Sequence, residues 1–143
     1  MNVKTILAAK GGDVISIEPT ADLAAAAHLL SKHRIGAVVI CGAGGRLSGI
    51  LSERDIVRAI AERGASALSV PVGQVMTRNV ITCSENDSIS DLMERMTSGK
   101  FRHMPVVKGE RLIGLISIGD VVKSRVQEIE SDAAAMRDYI QTA

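Results

Sequence analysis

The chain contains almost no aromatic residues: it has no tryptophan, one tyrosine and one phenylalanine among 143 residues. Proteins that bind single-stranded nucleic acid stack the bases on aromatic side chains, and this chain has too few of them. It also lacks an excess of positive charge, because 17 Lys and Arg stand against 16 Asp and Glu, for a net charge of +1. Both shortages argue against a nucleic-acid partner, whose binding depends on basic patches.

Cysteine and long hydrophobic runs are also scarce. The two cysteines, Cys41 and Cys83, lie in apolar stretches without the Cys-x-x-Cys spacing of metal and redox sites, and we expect buried thiols. The apolar start of the chain is short and ends in Lys-Gly-Gly-Asp at residues 10–13. This fits neither a signal peptide nor a membrane span. We therefore expect a cytoplasmic protein without a membrane partner.

Signatures of catalysis are missing as well. The sequence has no nucleophile elbow, no GxxxxGK[ST] phosphate loop and no HExxH motif. Cys41, His103, Asp55 and Asp120 are residue types that enzymes use, but the sequence does not group them as a nucleophile with its base, or as metal ligands. The sequence therefore predicts binding without catalysis.

What the sequence does contain is an internal repeat. The segment VISIEPTADLAAAAHLL, from Val14, matches VITCSENDSISDLMERM, from Val80. The sharpest match is Gly-x-x-Ser-x-x-Asp followed by two aliphatic residues, which begins at Gly49 and again at Gly114. A repeat of this kind fixes the architecture before any single motif is considered.

Hydrophobic periodicity predicts strand, helix, strand, strand, helix in each copy. Apolar residues recur at helical spacing after Asp22 and again after Ser88, and the Val- and Ile-rich runs between turns are typical of strands buried by helices. Residues 64–71 are expected to link the copies, and a last helix over about 119–140 is expected to carry an apolar stripe. The chain length suits one compact module.

These units resemble a tandem pair of CBS motifs, also called a Bateman module. The similarity covers about residues 10–130 and is specific because the glycine, serine and aspartate motif occurs twice at equivalent places. It implies an α/β (α+β) fold with pseudo-twofold symmetry, in which sheets and helices enclose two ligand clefts. We expect motif 1 with its lead-in at 1–66, motif 2 with the linker at 67–130, and a helical extension at 131–143.

The motif residues themselves suit nucleotide binding. Ser117 ends a predicted strand and Asp120 lies in the first turn of the next helix, where free N–H groups and the helix dipole favour a phosphate. Asp120 can accept hydrogen bonds from a vicinal diol, the ribose-binding role that the resemblance implies for it. Ser52 and Asp55 are expected to act likewise. The alternative is that both pairs only cap their helices.

Arg102 and His103 precede a strand of motif 2, where the family commonly places residues that reach phosphates, and arginine offers a bidentate fork. The alternative is that Arg102 is a solvated surface charge and that His103 is an ordinary strand-end residue. We expect this second cleft to be the stronger phosphate site. Its candidate residues are Thr82, Arg102, His103, Met104, Pro105, Ser117, Ile118 and Asp120. Those of the first cleft are Ser16, Arg34, Ile35, Gly36, Ala37, Ser52, Arg54 and Asp55, of which Arg54 is equally well a helix surface residue.

These observations predict a sensor that binds AMP or another adenine nucleotide, with NAD(H) as a further candidate. Members of the family bind AMP, ADP, ATP, S-adenosylmethionine or NAD, and Arg102 with His103 favours phosphates over a sulfonium. The sensor would signal by a ligand-dependent change of orientation, read by a separate effector protein. The alternative is a structural dimerisation module with empty clefts. The apolar stripes predict a C2 homodimer.

Overall fold

Each copy of the repeat folds into an antiparallel strand pair flanked by helices. The computed structural model describes residues 1–142. The chain starts with helix α1 (Val3–Lys10). The first copy then forms β1 (Ser16–Ile17), α2 (Leu23–His33), β2 (Ala37–Cys41), β3 (Leu47–Ser52) and α3 (Glu53–Arg63). The second copy forms α4 (Ile89–Gly99), β4 (His103–Lys108), β5 (Arg111–Ser117) and α5 (Ile118–Thr142).

The two sheets differ by one strand. In the first copy β2 pairs in parallel with β1 and antiparallel with β3. In the second copy only β4 and β5 form a sheet, so the predicted strand around Val80 is wrong there. A single parallel bridge joins Cys83 to Val106 instead.

Proline explains the missing strand. In the first copy the Val39 N–H donates to the Ile15 carbonyl at 3.3 Å. The strand registers place Pro105 where Val39 stands, opposite the corresponding residue of β5. Proline has no N–H, so the second copy cannot form the equivalent bond to Ile81. Two neighbouring backbone hydrogen bonds are still formed. The Cys83 N–H donates to the Pro105 carbonyl at 3.0 Å, and the Val107 N–H donates to the Cys83 carbonyl at 2.9 Å.

Each copy has its own aliphatic core. Leu23, Ile40 and Leu51 are fully buried in the first core, and Ile89, Leu92, Met96, Met104 and Ile116 are nearly or fully buried in the second. Full burial of one such side chain stabilises the fold by about 2 kcal/mol. Burial also raises the pKa of the Cys83 thiol to about 12, as expected for a packed thiol.

Helix α1 precedes the first copy but packs on the second. Its buried residues, Val3 and Ile6, belong to the core of the second copy, and Leu7 lies against β5. A Cβ on Gly114 would stand 2.5 Å from the Leu7 side chain. The lead-in of the first copy is thus held by the second.

The lead-in of the second copy packs on the first copy in the same way. Thr77 exchanges two backbone hydrogen bonds of 2.9 and 3.0 Å with Ile50 of β3. The predicted linker at 64–71 forms a short 3₁₀ turn at Gly64–Ser69, and a second turn follows it at Val72–Gln74, with Ala67 and Val72 buried in the first core. Because each lead-in packs on the opposite copy, residues of both copies line each cleft.

The predicted last helix is present as α5, and its predicted apolar stripe lies open. Val121 is buried, whereas Val126, Ile129, Met136 and Ile140 are between 47% and 67% exposed. Residues 131–142 continue α5 without a break, and Ala143 lies outside the described residues. Within residues 1–142, no helix is both long and apolar enough to cross a membrane.

Candidate functional site

Two cavities open where the copies meet. The cavity beside Asp120, here called cleft A, measures about 250 Å³ and is lined by Val14, Ile15 and Gly36 of the first copy and by Ser117 of the second. The cavity beside Asp55, called cleft B, measures about 660 Å³. It is lined by Ser52, Arg54 and Asp55 of the first copy and by Lys100, Phe101, Arg102 and His103 of the second.

The structure therefore corrects the grouping of the candidate residues by copy. Arg34, Ile35, Gly36 and Ala37 line cleft A, together with Ser117 of the other copy. Arg102 lines cleft B with Asp55, not cleft A with Asp120. The physical reason is the crossing of the lead-ins, which brings the start of β2 to the end of β5 and the start of β4 to the end of β3.

Six further candidates do not line either cavity; one of them, Asp120, lies next to cleft A through its contacts with Lys10 and Ser117. Met104 is buried in the second core, and the Pro105 carbonyl is bonded to Cys83. Ser16 pairs with β2, and the Thr82 carbonyl accepts a hydrogen bond from Arg95. Ile118 lies in a groove beside cleft B, next to Arg54 and Arg102. The lead-in residues nearest the clefts are Val14, Ile15 and Thr77, which we did not predict.

Asp55 caps α3 with one carboxylate oxygen and leaves the other outside the capping box. The Asp55 N–H donates to Ser52 Oγ at 3.3 Å, and the Ser52 N–H donates to Asp55 Oδ2 at 2.9 Å. This is a complete capping box. The other oxygen, Oδ1, lies 4.0 Å from the guanidinium of Arg58. Capping and ligand binding are thus compatible, since they use different oxygens of one carboxylate.

Asp120 makes the same cap but has an additional partner. The Ser117 N–H donates to Asp120 Oδ2 at 2.9 Å, and the Asp120 N–H donates to Ser117 Oγ at 3.2 Å. Lys10 Nζ also donates to Asp120 Oδ2, at 2.6 Å, and to the Leu115 carbonyl at 2.9 Å. Burial by itself raises the pKa of Asp120, but the hydrogen bonds from Lys10 and Ser117 outweigh it and hold the pKa below its ordinary value.

His103 stands between the two clefts and lines both. It faces Gly36, where a Cβ would come within 3.3 Å of the imidazole. Burial lowers the pKa of His103, and the charge of Lys10 lowers it further, against smaller raising effects of Glu53 and Asp120. At neutral pH the two clefts therefore share a neutral imidazole.

Cleft B is the more basic of the two. Arg54, Arg58, Lys100 and Arg102 line it, against Glu53 and Asp55. Cleft A has Lys10 and Arg34, with Asp13 on its wall and Asp120 beside it. Lys100 and Arg34 occupy equivalent places, because each ends its helix in the left-handed conformation, with φ of 56° and 52°. Lys10, Arg58 and Lys100 were not among the predicted residues. Arg58 lies one helical turn from Asp55 and Lys100 two residues before Arg102, whereas only the folded chain brings Lys10 to its cleft.

The family model of the CBS domain matches the chain twice, at residues 4–62 and 72–126. This chain belongs to the CBS domain family. It is a CBS-domain pair, as the repeat predicts. CBS-domain proteins are generally regulatory modules without catalytic activity.

Solved CBS proteins share this fold. A CBS-domain containing protein from Agrobacterium tumefaciens is 48% identical, with a TM-score of 0.84, and the match covers 87% of this chain and 92% of that one. A curated relative, the mitochondrial CBS domain-containing protein CBSX3 of Arabidopsis thaliana, is 37% identical over 78% of this chain. The match spans 56% of that relative's length.

Two further solved structures were determined with ligands. A CBS domain protein from Pyrobaculum aerophilum, in complex with AMP, is 30% identical, with a TM-score of 0.75 and 84% and 89% of the two chains covered. A CBS domain pair in complex with 5′-methylthioadenosine and S-adenosylmethionine is 27% identical, with a TM-score of 0.80 and 90% and 98% covered. Both sets of ligands contain adenosine.

Proposed function

We propose that this chain is a non-catalytic regulatory module that binds AMP or a related adenine nucleotide and responds with a change in the orientation of its two copies. The observation that carries the proposal is the arrangement at cleft B. There the N-terminus of α3 and the carboxylate of Asp55 face a wall of basic side chains from the other copy. A carboxylate and a cationic wall on opposite sides of one cavity match a ribose diol and a phosphate.

The geometry assigns a role to each wall. Asp55 Oδ1 is free of the capping box and can accept hydrogen bonds from a diol. Arg54 and Arg102 can each hold a phosphate through two parallel N–H groups, with Lys100 adding charge. Cleft B, rather than cleft A, is therefore our choice for the stronger phosphate site. A ligand held by both copies couples binding to their orientation.

The ligand class follows from charge and from the similar proteins. The AMP complex of the Pyrobaculum aerophilum protein and the methylthioadenosine and S-adenosylmethionine complex of its relative support an adenosine ligand. Four basic residues around cleft B favour a phosphorylated adenosine over the sulfonium of S-adenosylmethionine. AMP fits this requirement, and ADP, ATP and NAD(H) share it.

Isothermal titration of the purified protein with AMP, ADP, ATP, NAD⁺, NADH and S-adenosylmethionine tests the proposal. We expect saturable binding of a phosphorylated ligand, weakened about tenfold or more by Asp55→Asn, because the lost hydrogen bonds are charge-assisted. Asp22→Asn is the matched control, since Asp22 caps α2 on the exposed surface away from the clefts.

The competing function is a structural dimerisation module whose clefts stay empty. It predicts no heat with any of the six ligands, and no effect of Asp55→Asn or Arg102→Gln beyond small changes in stability. Turnover of any ligand during the titration would contradict the non-catalytic part of the proposal.

We further propose that the module works as a homodimer, reads out through a separate effector protein and resides in the cytoplasm. The open apolar stripe of α5 supports a dimer, since exposed apolar patches of this kind mark interaction sites. The two free cysteines, Cys41 and Cys83, fit a reducing compartment.

A further inference from the structure

Lys10 binds one oxygen of the Asp120 carboxylate, which lies beside cleft A. Lys10 Nζ donates to Asp120 Oδ2 at 2.6 Å and to the Leu115 carbonyl at 2.9 Å, and it lines the cavity. The pair is only partly shielded, with side chains 40% and 25% exposed. Lys10 and the helix cap both use Oδ2, so the other oxygen, Oδ1, is left for a ligand.

Lys10 is held there by the helix that precedes it. Val3 and Ile6 anchor α1 in the core of the second copy, and Leu7 rests on Gly114 of β5. Lys10 is the last residue of α1, and Gly11 follows at a φ of 93°. The ammonium group is thus positioned by the packing of α1 on the second copy.

Cleft B has no such partner for its carboxylate. Asp55 Oδ1 has Arg58 at 4.0 Å, on a side chain that is 63% exposed, and the two lie on the same helix. In the second lead-in, Met76 packs at Gly49 as Leu7 packs at Gly114. The two clefts therefore differ in one ionic contact of the motif carboxylate.

We propose that Lys10 is a specificity-determining residue of cleft A: it stays beside Asp120 when a diol binds the other carboxylate oxygen, Oδ1, and it pairs with a phosphate on the same ligand. The ammonium group of Lys10 lines the cavity beside Asp120. A nucleotide phosphate can pair with that charge, whereas an uncharged nucleoside or a cationic sulfonium ligand cannot. Cleft A thereby selects phosphorylated ligands. This inference rests on the proposed function.

The test compares AMP with adenosine by isothermal titration. Asp55→Asn serves as the background so that cleft A is measured, and Lys10→Met removes the charge while keeping the length of the side chain. We expect the ratio of the AMP affinity to the adenosine affinity to fall about tenfold in Lys10→Met, which is the size of one charge-assisted hydrogen bond. Adenosine binding should change little, because adenosine has no phosphate to pair with Lys10.

Two variants control the measurement. Lys4→Met removes another lysine of α1, whose side chain is exposed, and should leave the ratio unchanged. Lys10→Arg keeps the charge and should keep the preference for AMP. If Lys10→Met fails to fold in thermal unfolding, Lys10→Gln takes its place as the neutral variant.

The outcomes separate this inference from the proposed function. AMP binding that Asp120→Asn weakens, with an unchanged ratio in Lys10→Met, would overturn the role of Lys10 and leave the nucleotide module standing. Binding of neither AMP nor adenosine to the wild-type protein would overturn both.

Discussion

The carbonyl oxygen of Thr77 lies 2.7 Å from the point where a Cβ on Gly49 would stand. Thr77 is on the lead-in of one copy and Gly49 is on the central hairpin of the other. The close contact between the two copies therefore leaves no room for a side chain at position 49, which explains the motif glycine. The Thr77 backbone that makes this contact also lines cleft B.

Gly49→Ala should destabilise the fold by about 1–3 kcal/mol, the usual cost of overpacking, because the contacted atom belongs to the backbone. Gly114→Ala should cost less, since the Leu7 side-chain end that it meets can rotate away. Urea unfolding of the two variants measures the difference. Equal losses would contradict the argument.

Removal of Lys10 should raise the pKa of Asp120. In Lys10→Met the lowering hydrogen bond is lost while the raising effect of burial remains. The carboxyl titration of Asp120, followed by ¹³C NMR, reports the shift, and Lys4→Met should not reproduce it. An unchanged titration would mean that the Lys10–Asp120 contact does not form in solution.

The same pair predicts a pH dependence of stability. A carboxyl with a depressed folded pKa stabilises the fold above its unfolded value of about 3.9, and this contribution is lost as the pH falls through the folded pKa. Wild type should therefore lose its advantage over Lys10→Met on acidification below about pH 4. Thermal unfolding across this range checks the sign.

Protonation of His103 should lower the stability of the fold in a higher pH range than protonation of Asp120. Its folded pKa lies below the unfolded value of about 6.5, so the unfolded chain takes up more protons between the two values. Stability should decline as the pH drops from about 6.5 through the folded pKa, and His103→Gln should flatten this slope. His28→Gln, at an exposed position of α2, should retain it.

Pro105→Val should restore a strand to the second sheet. The new N–H at position 105 can donate to the Ile81 carbonyl, as Val39 does to Ile15 in the first copy. Slow hydrogen exchange of the amide at position 105 is the expected result. Rapid exchange there, in a folded protein, would show that proline is not what shortens the sheet.

Charges on the open face of α5 should separate the proposed dimer. Val126→Glu combined with Ile129→Glu places two carboxylates on the apolar stripe, where burial in an interface would be costly. Sedimentation should then give the mass of a single chain, compared with twice that mass for wild type. Glu130→Gln is a control on the same helix.

Much of the local structure followed from the sequence. The helix spacing at Leu23 and at Ile89, the turns between strands and the long final helix were all predicted, because each depends on neighbours a few residues apart. Capping was equally local: Ser52 with Asp55, and Ser117 with Asp120, lie three residues apart. The strand around Val80 was predicted wrongly, since its loss depends on a proline more than twenty residues away.

The sequence by itself determined that the chain is a duplicated motif with an aliphatic core in each half and a carboxylate at the start of two helices. These features repeat within each copy, so comparing the copies was enough to find them. Only the tertiary structure decided which residues share a cleft. Arg102 lines the same cleft as Asp55, and Lys10 binds Asp120, which is 110 positions away in the chain, because both lead-ins pack on the opposite copy. Hydrophobic periodicity cannot predict this arrangement, since it depends on contacts between segments far apart in the chain.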